Sequence, residues 1–128
     1  MDAPVILLVD DEESLLPLLE KYLTRLGYAV KTSVTAEQAW NAFSTAPQAY
    51  SLVIADLSLP DMPGQELLRK MLELAPETRI LVCSGYPFRA TELPGVKADI
   101  EFLQKPFLPK VLGEKVNAML NRTRSTSA

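Results

Sequence analysis

Apolar residues enter this chain in short bursts that each stop at a polar group. Val5-Ile6-Leu7-Leu8-Val9 is continuous, too short for a helix, and ends at two aspartates. Leu52-Val53-Ile54-Ala55 ends at Asp56, and Ile80-Leu81-Val82-Cys83 ends at Ser84-Gly85. Runs that are apolar on both faces predict strands buried in a parallel sheet, because crossover helices cover both of its sides. Tyr28 to Ser33 alternates instead and predicts an edge strand, while Ile100 to Gln104 predicts a short strand ending at Lys105-Pro106.

The segments between these runs carry helical spacing. Leu16, Leu19, Leu23 and Leu26 form the stripe of a first helix that Gly27 terminates, with Pro17 tolerable only in its first turn. Thr35-Ala36-Glu37-Gln38 reads as a capping box ahead of Ala39, Trp40 and Phe43. Leu68, Met71, Leu72 and Ala75 predict a third helix that stops before Pro76, and Leu108, Val111, Leu112, Val116 and Met119 a last one. Pro87 to Ala98, broken by Pro94-Gly95, leaves room for only a short helix, and Asn121 to Ala128 is a polar, frayed end. Five strands alternating with helices imply one α/β domain with right-handed crossovers, without internal repeats, running over 1–122 with a polar tail at 123–128.

Composition narrows the chemistry. At 128 residues, 48% hydrophobic and 23% charged, the chain is globular and of single-domain size. It contains no histidine, which excludes Ser-His-Asp and Cys-His catalysis and histidine-ligated zinc. A single cysteine, Cys83, excludes an internal disulfide and fits a reducing compartment. The net charge of −3 comes without a basic stripe, so no direct nucleic-acid surface is expected. No signal peptide or membrane-length apolar run is visible, and a cytoplasmic location is expected.

In open parallel sheets ligands bind outside the carboxyl ends of the strands. Those ends carry Asp10 and Asp11, then Asp56, Ser84 and Lys105. Each has an ordinary explanation. Asp10 and Asp11, continued by Glu12 and Glu13, suit the dipole of a following helix. Asp56 suits an Asx turn, Ser84 a helix cap, and Lys105 a solvated surface. Together these readings leave the convergence on one sheet edge unaccounted for. Two carboxylates about 4 Å apart repel by about 4 kcal/mol at an effective dielectric of 20, so three ionised acids there call for a cation. All-oxygen ligands with room for water suit Mg²⁺. Asp56 is then a nucleophile toward phosphorus, Lys105 a point charge for the phosphoryl group and the Ser84 hydroxyl a hydrogen-bond donor, with the N–H groups of Ser58 and Gly85 completing a cradle.

Through Val9-Asp10-Asp11-Glu12, Asp56-Leu57-Ser58-Leu59-Pro60-Asp61-Met62-Pro63-Gly64, Ser84-Gly85 and Lys105-Pro106-Phe107, the sequence resembles the receiver domain of two-component response regulators over nearly its whole length. The resemblance implies a flavodoxin-like doubly wound sheet of order 2-1-3-4-5 with helices on both faces. It implies that Asp56 accepts a phosphoryl group from the phosphohistidine of a histidine kinase or histidine phosphotransfer protein. Asp11, Asp56 and the Ser58 carbonyl would hold Mg²⁺, with Asp10 acting through water, and Ser84 and Lys105 would touch the phosphoryl oxygens. Phe102, three before the lysine, stands at the family's switch aromatic, although its pattern alone reads as a buried strand residue. A cis Lys105-Pro106 bond is also implied.

Tyr86, two after Ser84, either shields an acyl phosphate from water or is plain surface covering. The short proline-broken segment before Ile100 leaves the family's usual output face open to question. Two other classes compete: a receiver fold that binds without being phosphorylated, and an aspartate-nucleophile phosphatase of the haloacid dehalogenase type. The latter carries Asp-x-Asp, where this chain has Asp56-Leu57-Ser58. The stretches Ser84-Gly85-Tyr86-Pro87 and Phe102 to Phe107 resemble receivers at the ends of hybrid sensor histidine kinases, so a stand-alone regulator and a part of such a kinase are both expected contexts.

Overall fold

The computed structural model describes residues 3–85 and 99–121 of the chain. Within them five strands, β1 (Val5–Val9), β2 (Ala29–Ser33), β3 (Leu52–Asp56), β4 (Ile80–Ser84) and β5 (Ile100–Gln104), form one parallel sheet in the order β2-β1-β3-β4-β5. Four helices are described, α1 (Leu16–Arg25), α2 (Ala36–Thr45), α3 (Gly64–Leu74) and α4 (Pro109–Leu120), with a short 3₁₀ turn at Pro47–Ala49 before β3. The expected strand order and fold class hold. Tyr86, Pro87 to Ala98 and the tail at 123–128 lie outside the described residues.

Side chains leave a strand on alternate faces, and the core divides accordingly. Leu7, Val9, Val53, Ala55, Ile80 and Val82 pack with Ala39, Phe43, Leu67, Leu68 and Met71 of α2 and α3. Ile6, Leu8, Leu52, Ile54, Leu81 and Cys83 pack with Leu16, Leu19, Leu23, Leu112, Val116 and Met119 of α1 and α4. All residues of β3 and β4 are buried, as their unbroken apolar runs require, whereas β2 alternates at the edge. β5 differs from a buried strand: four of its five residues are only partly covered, which fits the opposite edge of the sheet.

The helix ends follow local chemistry, with three departures from expectation. Pro17 lies in the first turn of α1, and Gly27 follows the C-cap with φ 102°, a backbone shape that glycine adopts without strain. Leu26, however, is 46% exposed at that cap and leaves the stripe, and Leu108 and Val111 at the start of α4 are exposed by 69% and 40%. The acids Asp10 to Glu13 precede α1 rather than entering it, since its first turn holds no acidic residue. Thr35 caps α2 by accepting from the Gln38 N–H at 3.1 Å, but Gln38 Oε1 returns to the Val34 N–H at 3.0 Å, one residue earlier than a capping box specifies.

A second cap on α2 comes from a distant loop. Asp61 accepts the Ala36 and Glu37 N–H groups at 2.8 and 2.9 Å, one through each carboxylate oxygen. That loop, leading from β3 to α3, closes on itself. The Gly64 N–H donates to the Leu57 carbonyl at 3.0 Å, and Ser58 and Pro63 pair as an isolated bridge. On the opposite rim the buried Arg79 donates through Nη1 to the Met119 carbonyl at 2.6 Å, tying the C-terminal end of α4 to β4.

Two expectations follow. A Cβ at Gly64 would sit 2.4 Å from the Leu57 Cα, a backbone atom that cannot swing aside. Gly64→Ala should therefore lose about 1–3 kcal/mol of stability in urea unfolding, and wild-type stability in that variant would refute the close packing. The two N–H groups hold the Asp61 carboxyl below the usual carboxylate range. Its contribution is thus present above the unfolded-state pKa and lost as pH falls through the lower, folded-state value. Asp61→Ala should unfold earlier than wild type at pH 7, with the gap closing in strong acid; a gap independent of pH would contradict the capping role.

Candidate functional site

The register of the sheet brings the strand ends level. Val9 pairs with Ala55 and Asp56 with Cys83, while Ser84 pairs with Gln104. Asp10, Asp56, Ser84 and Lys105 consequently meet along one rim, where the sequence places them. The Asp10 N–H donates to the Ser33 carbonyl at 3.1 Å and the Lys105 N–H to the Ser84 carbonyl at 2.7 Å, extending the ladder just past β1 and β5. The Lys105-Pro106 peptide is cis, as the resemblance implied.

The two inner carboxylates are held in the same manner. Asp10 Oδ1 accepts the Glu12 N–H at 2.9 Å, and Asp56 Oδ1 accepts the Ser58 N–H at 3.2 Å. Each is a side chain bonded to the backbone two residues on, the geometry of an Asx turn. The ordinary explanation of Asp56 is therefore correct as far as it goes. The second oxygen of each carboxylate is left for Lys105, whose Nζ donates to Asp10 Oδ2 at 3.0 Å and to Asp56 Oδ2 at 3.2 Å. Asp10 and Asp56 are only 3% and 4% exposed, so Lys105 is not a solvated surface lysine but the cation that keeps two buried acids apart.

Lys105 makes a third bond that the sequence did not point to, to Glu12 Oε1 at 3.0 Å. Glu12 reads along the chain as one more acid near a helix start, and only the fold reveals it within reach of a residue 93 positions on. Asp11 lies exposed at the outer edge, and carboxylate oxygens of Asp10, Asp11 and Asp56 fall within 4.8 Å of one another. Ser84 is buried at the end of β4, while Ser58 and Gly85 are exposed beside it. Phe102, the expected switch aromatic, is a strand residue packed against the α2/α3 side of the core, as its pattern suggested, but it is half-buried rather than buried.

The electrostatics follow from burial. Loss of water pushes the Asp56 carboxyl above its ordinary range, and the Ser58 N–H and Lys105 only partly offset this, with Asp10 adding like-charge repulsion. Burial alone would lower the Lys105 ammonium, but its bonds to Asp10 and Glu12 reverse the sign and hold it above its ordinary value. Cys83, behind the rim, has its thiol pushed up to about 12 by burial and stays protonated and inert. The donor set at the rim is three carboxylates, without imidazole or thiolate, and two of the three are already buried and oriented. It fits a hard divalent cation that retains water on its open side.

A doubly wound five-stranded sheet whose carboxyl rim carries three acids bridged by a lysine defines a phosphoacceptor class of signalling domain. The chain belongs to the response regulator receiver domain family, whose pattern matches residues 6–117. It is 33% identical over 132 residues to the DNA-binding transcriptional regulator NtrC of Azospirillum brasilense, covering 100% of this chain and 26% of that protein. The chain therefore spans about a quarter of the length of that relative. A CheY-like response regulator receiver domain protein from Methanospirillum hungatei JF-1 superposes with a TM-score of 0.81 at 29% identity, covering 94% of this chain and 95% of the other. The receiver domain from hybrid histidine kinase CckA superposes with a TM-score of 0.79 at 26% identity, covering 91% and 99%. Among the described residues no helix is long and apolar enough to cross a membrane.

The raised Asp56 carboxyl sets the sign of a stability effect. Between the unfolded-state value and the higher folded-state value the native protein binds the extra proton, so stability falls as pH rises through this window and the cost is complete above the folded-state pKa. In metal-free buffer Asp56→Asn should unfold at higher urea than wild type at pH 7. The advantage should vanish below the unfolded-state carboxyl pKa. A variant less stable than wild type across that range would show that Lys105 more than offsets the burial of Asp56.

Proposed function

We propose that Asp56 receives a phosphoryl group from the phosphohistidine of a histidine kinase or histidine phosphotransfer protein. A carboxylate oxygen of Asp56 forms the new bond to phosphorus while the phosphorus–nitrogen bond breaks, and the imidazole leaves with the electron pair. The observation that carries this reading is the buried Asp56 carboxylate, fixed through one oxygen by the Ser58 N–H and paired through the other with Lys105. A nucleophile already desolvated and oriented needs little reorganisation to attack.

Asp11, Asp56 and the Ser58 carbonyl are assigned to Mg²⁺, which when bound neutralises charge on the transferring oxygens. Asp10 is assigned to it through water, as the resemblance to the receiver family implies. Lys105, the Ser84 hydroxyl and the N–H groups of Ser58 and Gly85 then face the phosphoryl oxygens. Ser84 and Phe102 act as the switch: they stand on neighbouring strands, β4 and the edge strand β5, and the Phe102 ring is only half-buried. The relatives carry this module both in regulators and in a hybrid kinase, and either context is compatible with a cytoplasmic site of action.

Incubation with acetyl phosphate and Mg²⁺ followed by intact-mass analysis tests the assignment. One phosphoryl adduct is expected, labile to hydroxylamine, dependent on divalent metal and absent from Asp56→Asn. An equal adduct in both proteins moves the acceptor elsewhere, and no adduct in either favours a receiver fold that binds without phosphorylation.

A further inference from the structure

The sheet register sets Asp10 and Asp56 level, but two of the groups assigned to Mg²⁺ stand beyond the strands. Asp11 lies in the segment after β1, and Ser58 in the loop after β3. Bonds within each segment fix these residues only relative to their own strand end. The Glu12 N–H donates to Asp10 Oδ1 across Asp11, and the Ser58 N–H donates to Asp56 Oδ1. The bridge between Ser58 and Pro63 is closed by the flanking bond from the Gly64 N–H to the Leu57 carbonyl, and Pro63 has no N–H with which to occupy the Ser58 carbonyl. Beyond the sheet itself, both segments are fastened to one corner, the turn from β2 into α2. Ser33 accepts the Asp10 N–H there at 3.1 Å, and the Ala36 and Glu37 N–H groups donate to Asp61 at 2.8 and 2.9 Å.

Given the assignment of Asp11 and the Ser58 carbonyl to Mg²⁺, on which this rests, we infer that Asp61 is a positioning residue for the metal. By anchoring the tip of the β3–α3 loop to the corner that also holds Asp10, it keeps the Ser58 carbonyl in register with the acids after β1. Each oxygen of Asp61 takes one of two successive N–H groups, a two-point contact that fixes direction as well as distance. The helix does not depend on that contact for a cap, because Thr35 already accepts the Gln38 N–H at 3.1 Å. Mg²⁺ demands near-ideal octahedral geometry at about 2.0–2.1 Å, so a loop free to tilt at its tip holds the ion less well. Loss of a group that orients a metal ligand costs about 10–100-fold in affinity. Here Leu57 and Gly64 still close the base of the loop, and the expected loss is smaller.

Mg²⁺ titration of ¹⁵N-labelled protein, read at the backbone amides of the rim, tests this in about 1 M KCl, where the Debye length is about 3 Å and the Asp61 charge is screened from the ion. Asp61→Ala should bind about three- to ten-fold more weakly than wild type, below the range for direct orienting partners. Asp61→Asn, which keeps one acceptor oxygen without the charge, should fall between the two. Thr35→Ala, which loosens the same helix end without touching the loop, should bind as wild type does. Coupling between sites is reciprocal, so saturating Mg²⁺ should slow hydrogen exchange at the Ala36 and Glu37 amides more than at Gln38. That difference should be absent from Asp61→Ala. Wild-type affinity in Asp61→Ala overturns the proposal. Equal weakening by Thr35→Ala also does so, since helix stability would then be the cause, as does Asp61→Asn binding no better than Asp61→Ala, since charge would be. Failure of wild type to bind Mg²⁺ removes the metal assignment and this inference with it, whereas wild-type binding matched by Asp61→Ala removes this inference alone.

Discussion

Two carboxylates, Asp10 and Asp56, are buried side by side at the end of the sheet, and one ammonium between them makes that arrangement tolerable. Much of the molecule can be understood as the support for this contact. The parallel register sets the ends of β1 and β3 level, β5 delivers Lys105 one residue past its last pair, and the Lys105 N–H bonds to the Ser84 carbonyl so that the strand end cannot drift. The electrostatic compromise is incomplete. Burial still holds the Asp56 carboxyl above its ordinary range although Lys105 touches it, so the folded state carries the cost of an ionised group that water would have solvated better. Groups held at such a cost are found where a site requires them.

The loop after β3 shows how the rest of the fold maintains that geometry. Asp56 turns the chain by bonding the Ser58 N–H, Gly64 closes the loop against Leu57, and Asp61 extends from its middle to cap α2. The loop that Asp56 opens is thus fastened at its start, at its tip and at its end. The tip contact joins it to the helix that leads out of β2, on the far side of β1. A displaced oxygen at Asp56 would have to strain these contacts, which, with the bond from Lys105, keeps the carboxylate in one orientation.

Strand runs were legible because burial on both faces leaves an unambiguous apolar record, and β1 and β5 begin and end where the sequence places them. β3 and β4 each extend one residue further than their apolar runs, taking in Asp56 and Ser84, because hydrogen bonding continues through a polar residue that hydropathy excludes. The rim residues were legible for the same reason, as polar groups standing where apolar runs stop. What was not legible depends on distance in sequence. Asp61 caps a helix 25 residues earlier, and Glu12 meets a lysine 93 residues later; neither leaves a periodic trace, so each reads as an ordinary turn or helix-start acid. Leu26, Leu108 and Val111 fit their helical stripes by spacing but lie at helix ends, where they stay partly uncovered.

The saturation of Lys105 constrains how a site of this kind can respond. Breaking a buried ion pair by removing one partner costs about 3–5 kcal/mol, a large part of the stability of a small domain. A switch that worked by pulling Lys105 away from Asp10 would need a ligand to supply all of that before any conformational preference could be expressed. A switch that keeps the Lys105–Asp10 contact in place starts nearer balance. Ligands shift equilibria only by their differential affinity for two states, so a near-balanced exchange leaves more of the binding energy for the shape change itself. The pairing of Ser84 with Gln104 across the β4–β5 border puts this buried rim residue on the strand beside Phe102. A small displacement at the rim therefore has a path of backbone hydrogen bonds, rather than a loose loop, to the partly covered edge of the sheet.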